Sequence, residues 1–169
     1  MCYQIQRIMK NTMTFLALLL SCILHAQAYT GKGDIKGQVG TNIQRGGSGI
    51  AASADFGIGD NMSYGFSSSY MLNATEGSAK DVPFNDRFDC KARFNANIGN
   101  VFNMDKKMDI YPGLDLGFKN FGAHLGFRYF FTSGFGLYSE AGIPLAKYNN
   151  HDIEYNNQFV FYFGASFNL

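Results

Sequence analysis

Tryptophan is absent from the chain and proline occurs only three times, against twenty glycines and seventeen phenylalanines in 169 residues. That mix suits strands and tight turns far better than helices. Neither sign of charge dominates: fourteen Lys and Arg stand against thirteen Asp and Glu. The balance argues against nucleic-acid binding, where a clustered basic face is expected. Cysteine is scarce too, and two of the three, Cys2 and Cys22, fall in the N-terminal leader described next. Cys90 is then alone in the mature chain, so neither a disulfide framework nor a Cys-based metal site can be built. Beyond the leader no run of eighteen apolar residues recurs, which excludes a transmembrane helix from the mature chain.

The leader is a separate object. Arg7 and Lys10 precede an apolar run from Met13 to Leu24, and Ala26-Gln27-Ala28 follows. A charged start, a short apolar stretch and an A-x-A site predict a secretory signal peptide over residues 1–28, cleaved after Ala28 or after Ala26. Met9-Lys10-Asn11 would itself be a normal signal-peptide start, so translation from Met1 or from Met9 are both open. Leu19-Leu20-Ser21-Cys22 resembles a lipobox, but the apolar run continues through Ile23 and Leu24, where a lipoprotein would show a polar tether.

Residues 29–169 read as one domain of eight alternating segments separated by Gly-, Asn- and Asp-rich breaks. They run from about Asp34 to Gln44, Gly49 to Ile58, Met62 to Leu72, Phe88 to Ile98, Met108 to Phe118, Phe121 to Phe131, Phe135 to Leu145 and Gln158 to Leu169. Successive side chains of a strand point to opposite faces, so each segment has one apolar face and one wet face. The last is the clearest: Leu169, Phe167, Ala165, Phe163, Phe161 and Phe159 alternate with Asn168, Ser166, Gly164, Tyr162, Val160 and Gln158. Segments of ten or eleven residues match a tilted strand crossing a bilayer. Pro112 is a blemish inside the fifth, since proline cannot donate to a ladder. The breaks at Asn73–Arg87 and Ala146–Asn157 are the longest and are expected on the extracellular side.

With no water in hydrocarbon, only a closed sheet satisfies every backbone group. The minority face carries Gly, Ser, Asn and mixed charges, while the other is a continuous apolar band. A soluble cup would reverse that arrangement. The final strand, with Phe161, Phe163 and Phe167 leading to a terminal Leu169, looks like the C-terminal β-signal of outer-membrane barrels, which usually ends on Phe. Across nearly its whole mature length the chain resembles the small eight-stranded outer-membrane proteins of the OmpA/OmpX type, in the porin-like superfamily. The expected fold is all-β, an eight-stranded antiparallel up-and-down transmembrane β-barrel. The resemblance implies residence in a Gram-negative-type outer membrane, with membrane lipid and the barrel-assembly machinery as partners, and no particular activity.

The expected lumen residues are Lys36, Asp55, Asp89, Lys91, Arg93, Asp109, Asp115, His124, Arg128 and Glu140. Eight strands enclose just enough room for side chains, so these charges must pair. Arg128 and Glu140 flank the short turn at Ser133 symmetrically about Gly134 and are the expected cross-strand pair. A salt-bridged plug is the plain reading, with a narrow channel for small solutes as the alternative and a secreted soluble binding barrel as the second. No catalytic residue, metal site or cofactor is expected: His124 sits among glycines, and His151, Asp152 and Glu154 lie on a loop. Gly31-Lys32-Gly33 and Gly46-Gly47-Ser48-Gly49 lack phosphate-loop spacing. The long loops, with Tyr148, Asn149, Asn150, Tyr155, Asn156 and Asn157, are where a glycan or protein would be met. A monomer with a structural or surface-interaction role is the expectation.

Overall fold

In a computed structural model describing residues 27–74, 83–148 and 155–169, each alternating segment forms a strand. They are β1 (Ile35–Gln44), β2 (Gly47–Gly59), β3 (Met62–Ala74), β4 (Phe88–Ala96), β5 (Met108–Gly117), β6 (Asn120–Phe130), β7 (Phe135–Lys147) and β8 (Val160–Asn168). One helical turn, α1 (Phe84–Arg87), leads into β4. The strands pair in sequence order, all antiparallel, and β1 closes on β8 from Lys36↔Asn168 to Gln44↔Val160. Closure leaves no edge, so the ladder groups of every strand find partners. Among the described residues no helix is long and apolar enough to cross a membrane.

The first described residues, from Gln27, and the C-terminal Leu169 lie at one mouth, with the β2–β3, β4–β5 and β6–β7 connections. The far mouth carries the other four. β2 begins two residues earlier than the alternation suggests, because the β1–β2 turn shrinks to Arg45-Gly46, with Gly46 at a φ of +85° that favours glycine. The β4–β5 ladder stops at Asn95↔Gly113, one residue short of Pro112, which has no N–H to extend it. Pairing resumes where Ile98 N donates to Ile110 O at 2.9 Å.

The core is polar. Among the described residues twenty-one polar or charged ones are buried against eight apolar ones, Lys36, Arg128 and Asp55 among the most deeply enclosed. Water-soluble proteins almost never bury Lys, Arg or Asp so completely. The outside is apolar to match, with Leu116 59% and Leu125 56% exposed. Aromatics cluster at the two ends of this surface: Tyr70, Phe84 and Phe88 stack at the far mouth, and Tyr129, Phe131, Phe135 and Phe167 form a chain at the other. Two such bands are the pattern of interfacial girdles.

The inner wall of so narrow a barrel must be thin in places. Gly40 and Gly164 oppose each other on the closing β1–β8 seam, and a Cβ on either would overlap the other strand's backbone. Gly164→Val is therefore expected to block closure, reducing the heat-modifiable folded band of refolded protein by more than half. Val substituted at Ser68, on the outer side of β3, should leave that band intact.

Candidate functional site

The lumen is organised around Arg93, which β4 projects toward three other strands. Its Nη2 donates to Glu140 Oε2 on β7 at 2.6 Å, and its Nε lies 3.3 Å from Asp55 Oδ1 on β2. The same Nη2 is 2.9 Å from His124 Nε2 on β6. His124 Nδ1 is 2.9 Å from Asp115 Oδ2 on β5, and its Nε2 is also 2.8 Å from Asn95 Oδ1 on β4. One guanidinium thus ties β4 to β2, β6 and β7, and its histidine neighbour adds β5.

A second layer lies toward the terminal mouth. Arg128 lies 3.6 Å from Asp55 Oδ2 and 3.9 Å from Asp109 Oδ2, and donates to Asn97 Oδ1 at 3.2 Å. Its guanidinium stacks 3.9 Å from the centre of the Tyr111 ring, a cation–π contact in a fully buried setting. That ring needs Gly126 opposite, since a Cβ there would overlap it. Lys36 donates to Asp34 Oδ1 and Asn168 Oδ1, both at 2.7 Å, over the Phe130 ring.

The N-terminal stretch folds across this mouth. Ala28 N donates to Lys106 O at 2.7 Å, and Gly33 N to Gly57 O at 3.0 Å. The Tyr29 hydroxyl donates to Met62 O at 2.6 Å, with Gly59 O 2.9 Å away. Burial, aided by the Asp34 carboxylate, pushes its pKa up to about 12, so it stays a neutral donor.

Two spaces bear on the lumen: one of about 130 Å³ at the terminal mouth, bordered by Tyr29, Asn97, Met104 and Asp109, and a smaller one deeper inside. The smaller, a lumen cavity of about 30 Å³ bordered by Ser53, Ser67, Asp89, Lys91 and Tyr162, holds about two waters at most. Among the described residues no group of three or more His, Cys, Asp or Glu could hold a metal ion. Cys90 is free and half-buried.

All ten residues expected in the lumen face it. Nine are buried, and Lys91, 3.6 Å from Asp89 Oδ2, is half-buried. Phe161, Phe163, Phe167 and Leu169 point outward. The expected Arg128–Glu140 pair does not form. The β6–β7 turn centres on Ser133 rather than on Gly134, so Arg128 opposes Tyr138 and Glu140 opposes Gly126. A slip of two preserves the face but changes the partner, and Glu140 goes to Arg93. Tyr155, Asn156 and Asn157, expected on an exposed loop, are buried in the far mouth, which they help to close. The phase of β1 places Gln38, Asn42 and Gln44 inside with Lys36, neutral side chains that carry no charge signal, and Asp34 is buried just ahead of the strand. The leader (residues 1–26), His151, Asp152, Glu154, Asn149 and Asn150 lie outside the described residues.

No curated protein matches the sequence. Among solved structures, a de novo designed transmembrane β-barrel superposes with a TM-score of 0.52 at 10% identity, covering 83% of this chain and 98% of that one. The solution NMR structure of Outer Membrane Protein G from Pseudomonas aeruginosa gives a TM-score of 0.47 at 10% identity, covering 83% and 99%. The designed barrel shows the shared fold, that of a transmembrane β-barrel. The sequence pattern described as "Family of unknown function (DUF6646)" matches residues 19–169, and the chain belongs to that family.

Proposed function

We propose that this chain is an exported outer-membrane protein of the small OmpA/OmpX type, whose lumen is plugged and whose role is structural or surface-interacting rather than catalytic. The observation that carries the reading is the inversion of faces: buried Lys36, Arg93 and Arg128 inside, exposed Leu116, Leu125 and Phe163 outside. Lipid accommodates such an exterior and water does not. Strands of 9 to 13 residues are long enough to cross when tilted. The Arg93 network and the roughly 30 Å³ cavity support the plug. Both ring nitrogens of His124 are engaged, Nδ1 with Asp115 and Nε2 with Arg93 and Asn95, which supports a positioning role over catalysis. The terminal mouth faces the periplasm in this reading, and the far mouth faces the medium.

Refolded protein in planar bilayers should show no steady open steps, and in cells it should fractionate with membranes and show heat-modifiable mobility. Steady single-channel steps would replace the plug with the narrow-channel reading. Recovery from the periplasm without detergent would replace both with a secreted soluble barrel.

A further inference from the structure

The two mouths are closed by different chemistry. Ion pairs fill the centre and the terminal mouth, where Arg93, Arg128 and Lys36 each meet a carboxylate. At the far mouth Asn156 and Asn157 are held through neutral amide, hydroxyl and carbonyl groups, with the Asp89–Lys91 pair on the wall just beneath them. Asn156 N donates to Gln44 Oε1 at 2.7 Å, and Gln44 Nε2 returns a bond to Asn156 Oδ1 at 3.1 Å. Ser69 Oγ donates to the same Oδ1 at 3.3 Å. From β6, Asn120 Nδ2 reaches Asn156 O at 2.8 Å and Asn157 Oδ1 at 3.1 Å. Tyr155 is buried against Met71. Asn156 holds a φ of +62°, a conformation asparagine tolerates better than most residues.

We propose that Tyr155–Asn157 is a releasable latch, and that its withdrawal opens a blind vestibule floored by the Arg93–Glu140 pair. The inference rests on the plugged-barrel reading and adds a moving part to it. The latch residues belong to the β7–β8 connection, not to a strand, so lifting them breaks no ladder bond. Amide bonds exchange for bonds to water at little net cost, whereas separating the buried ions below would leave charge uncompensated. The far mouth is thus the end that can open, and the Arg93 layer is where opening stops. Directly beneath the latch lies Ala51, lumen-facing and opposite Ser69, on the wall of the small cavity. Ser63 lies below the Arg93 layer, where its Oγ accepts from Asn95 and Asn97, both at 3.1 Å.

The test is cysteine accessibility in the folded, membrane-reconstituted protein, with a membrane-impermeant maleimide and labelling read at the reporter peptide by mass spectrometry. Ala51→Cys should label slowly in the otherwise native barrel. Adding Gln44→Ala, or independently Asn120→Ala, should speed it at least tenfold. Ser63→Cys should stay slow in every background. Two latch variants guard against one that fails to fold, and only barrels with heat-modifiable mobility are compared. Ala51→Cys rates within twofold of one another in all backgrounds would overturn the latch while leaving the plug standing. Rapid labelling of Ser63→Cys would overturn the plug itself.

Discussion

Arg93→Ala should destabilise the folded barrel by about 3–5 kcal/mol, read as the loss in unfolding free energy in detergent micelles under denaturant. The magnitude follows from what is left behind rather than from what is removed. Asp55 and Glu140 are both buried, and Arg93 supplies the shortest ion pair that either makes. Without it two carboxylates remain in a nearly dry interior, and His124 Nε2 loses a partner. Neutralising the partners should then restore most of the loss: Arg93→Met with Asp55→Asn and Glu140→Gln removes both sides of the network, which often costs little. A triple variant as unstable as Arg93→Ala would show that the guanidinium acts through packing, for instance through its 5.9 Å approach to the Tyr111 ring, and not through charge.

The contrast between Arg93 and Arg128 marks how far the sequence could be read. Period-two alternation assigns both to the inner face, because a strand's side chains have only two directions to take. Which acid each meets depends on register, and register depends on turn geometry that a two-residue slip leaves invisible to the hydrophobic pattern. Glu140 accordingly keeps the face that alternation expects but meets Arg93 rather than Arg128. Asn156 is a different case. Nothing periodic marks a loop residue, and an Asn-rich connection resembles solvated surface until the amides of Gln44 and Asn120 are found waiting for it. The N-terminal stretch is similar: Tyr29 follows the expected cleavage site, yet its hydroxyl bridges the β2–β3 turn. Periodic signals carried the wall of the barrel, and aperiodic ones hid both of its closures.

The second large effect concerns the outer wall. Leu125 lies at the middle of β6 and is 56% exposed, while Phe118, in the β5–β6 turn, is 82% exposed. In water, Leu125→Arg and Phe118→Arg would be near-neutral surface changes, and either would raise solubility. In a bilayer they separate by depth. Arginine at the midplane of a barrel's lipid face costs about 2–4 kcal/mol, against about 0–1 near the interface, where the side chain can snorkel to the headgroups. Leu125→Arg should therefore lower the unfolding free energy of barrels in lipid vesicles by the larger amount, and Phe118→Arg by no more than the smaller. His124 is the immediate chain neighbour of Leu125 and faces the opposite way, so the pair of side chains spans the wall at one height. Equal effects at Leu125 and Phe118 would mean that this surface does not sit in hydrocarbon, and the enclosed charges would then need another explanation.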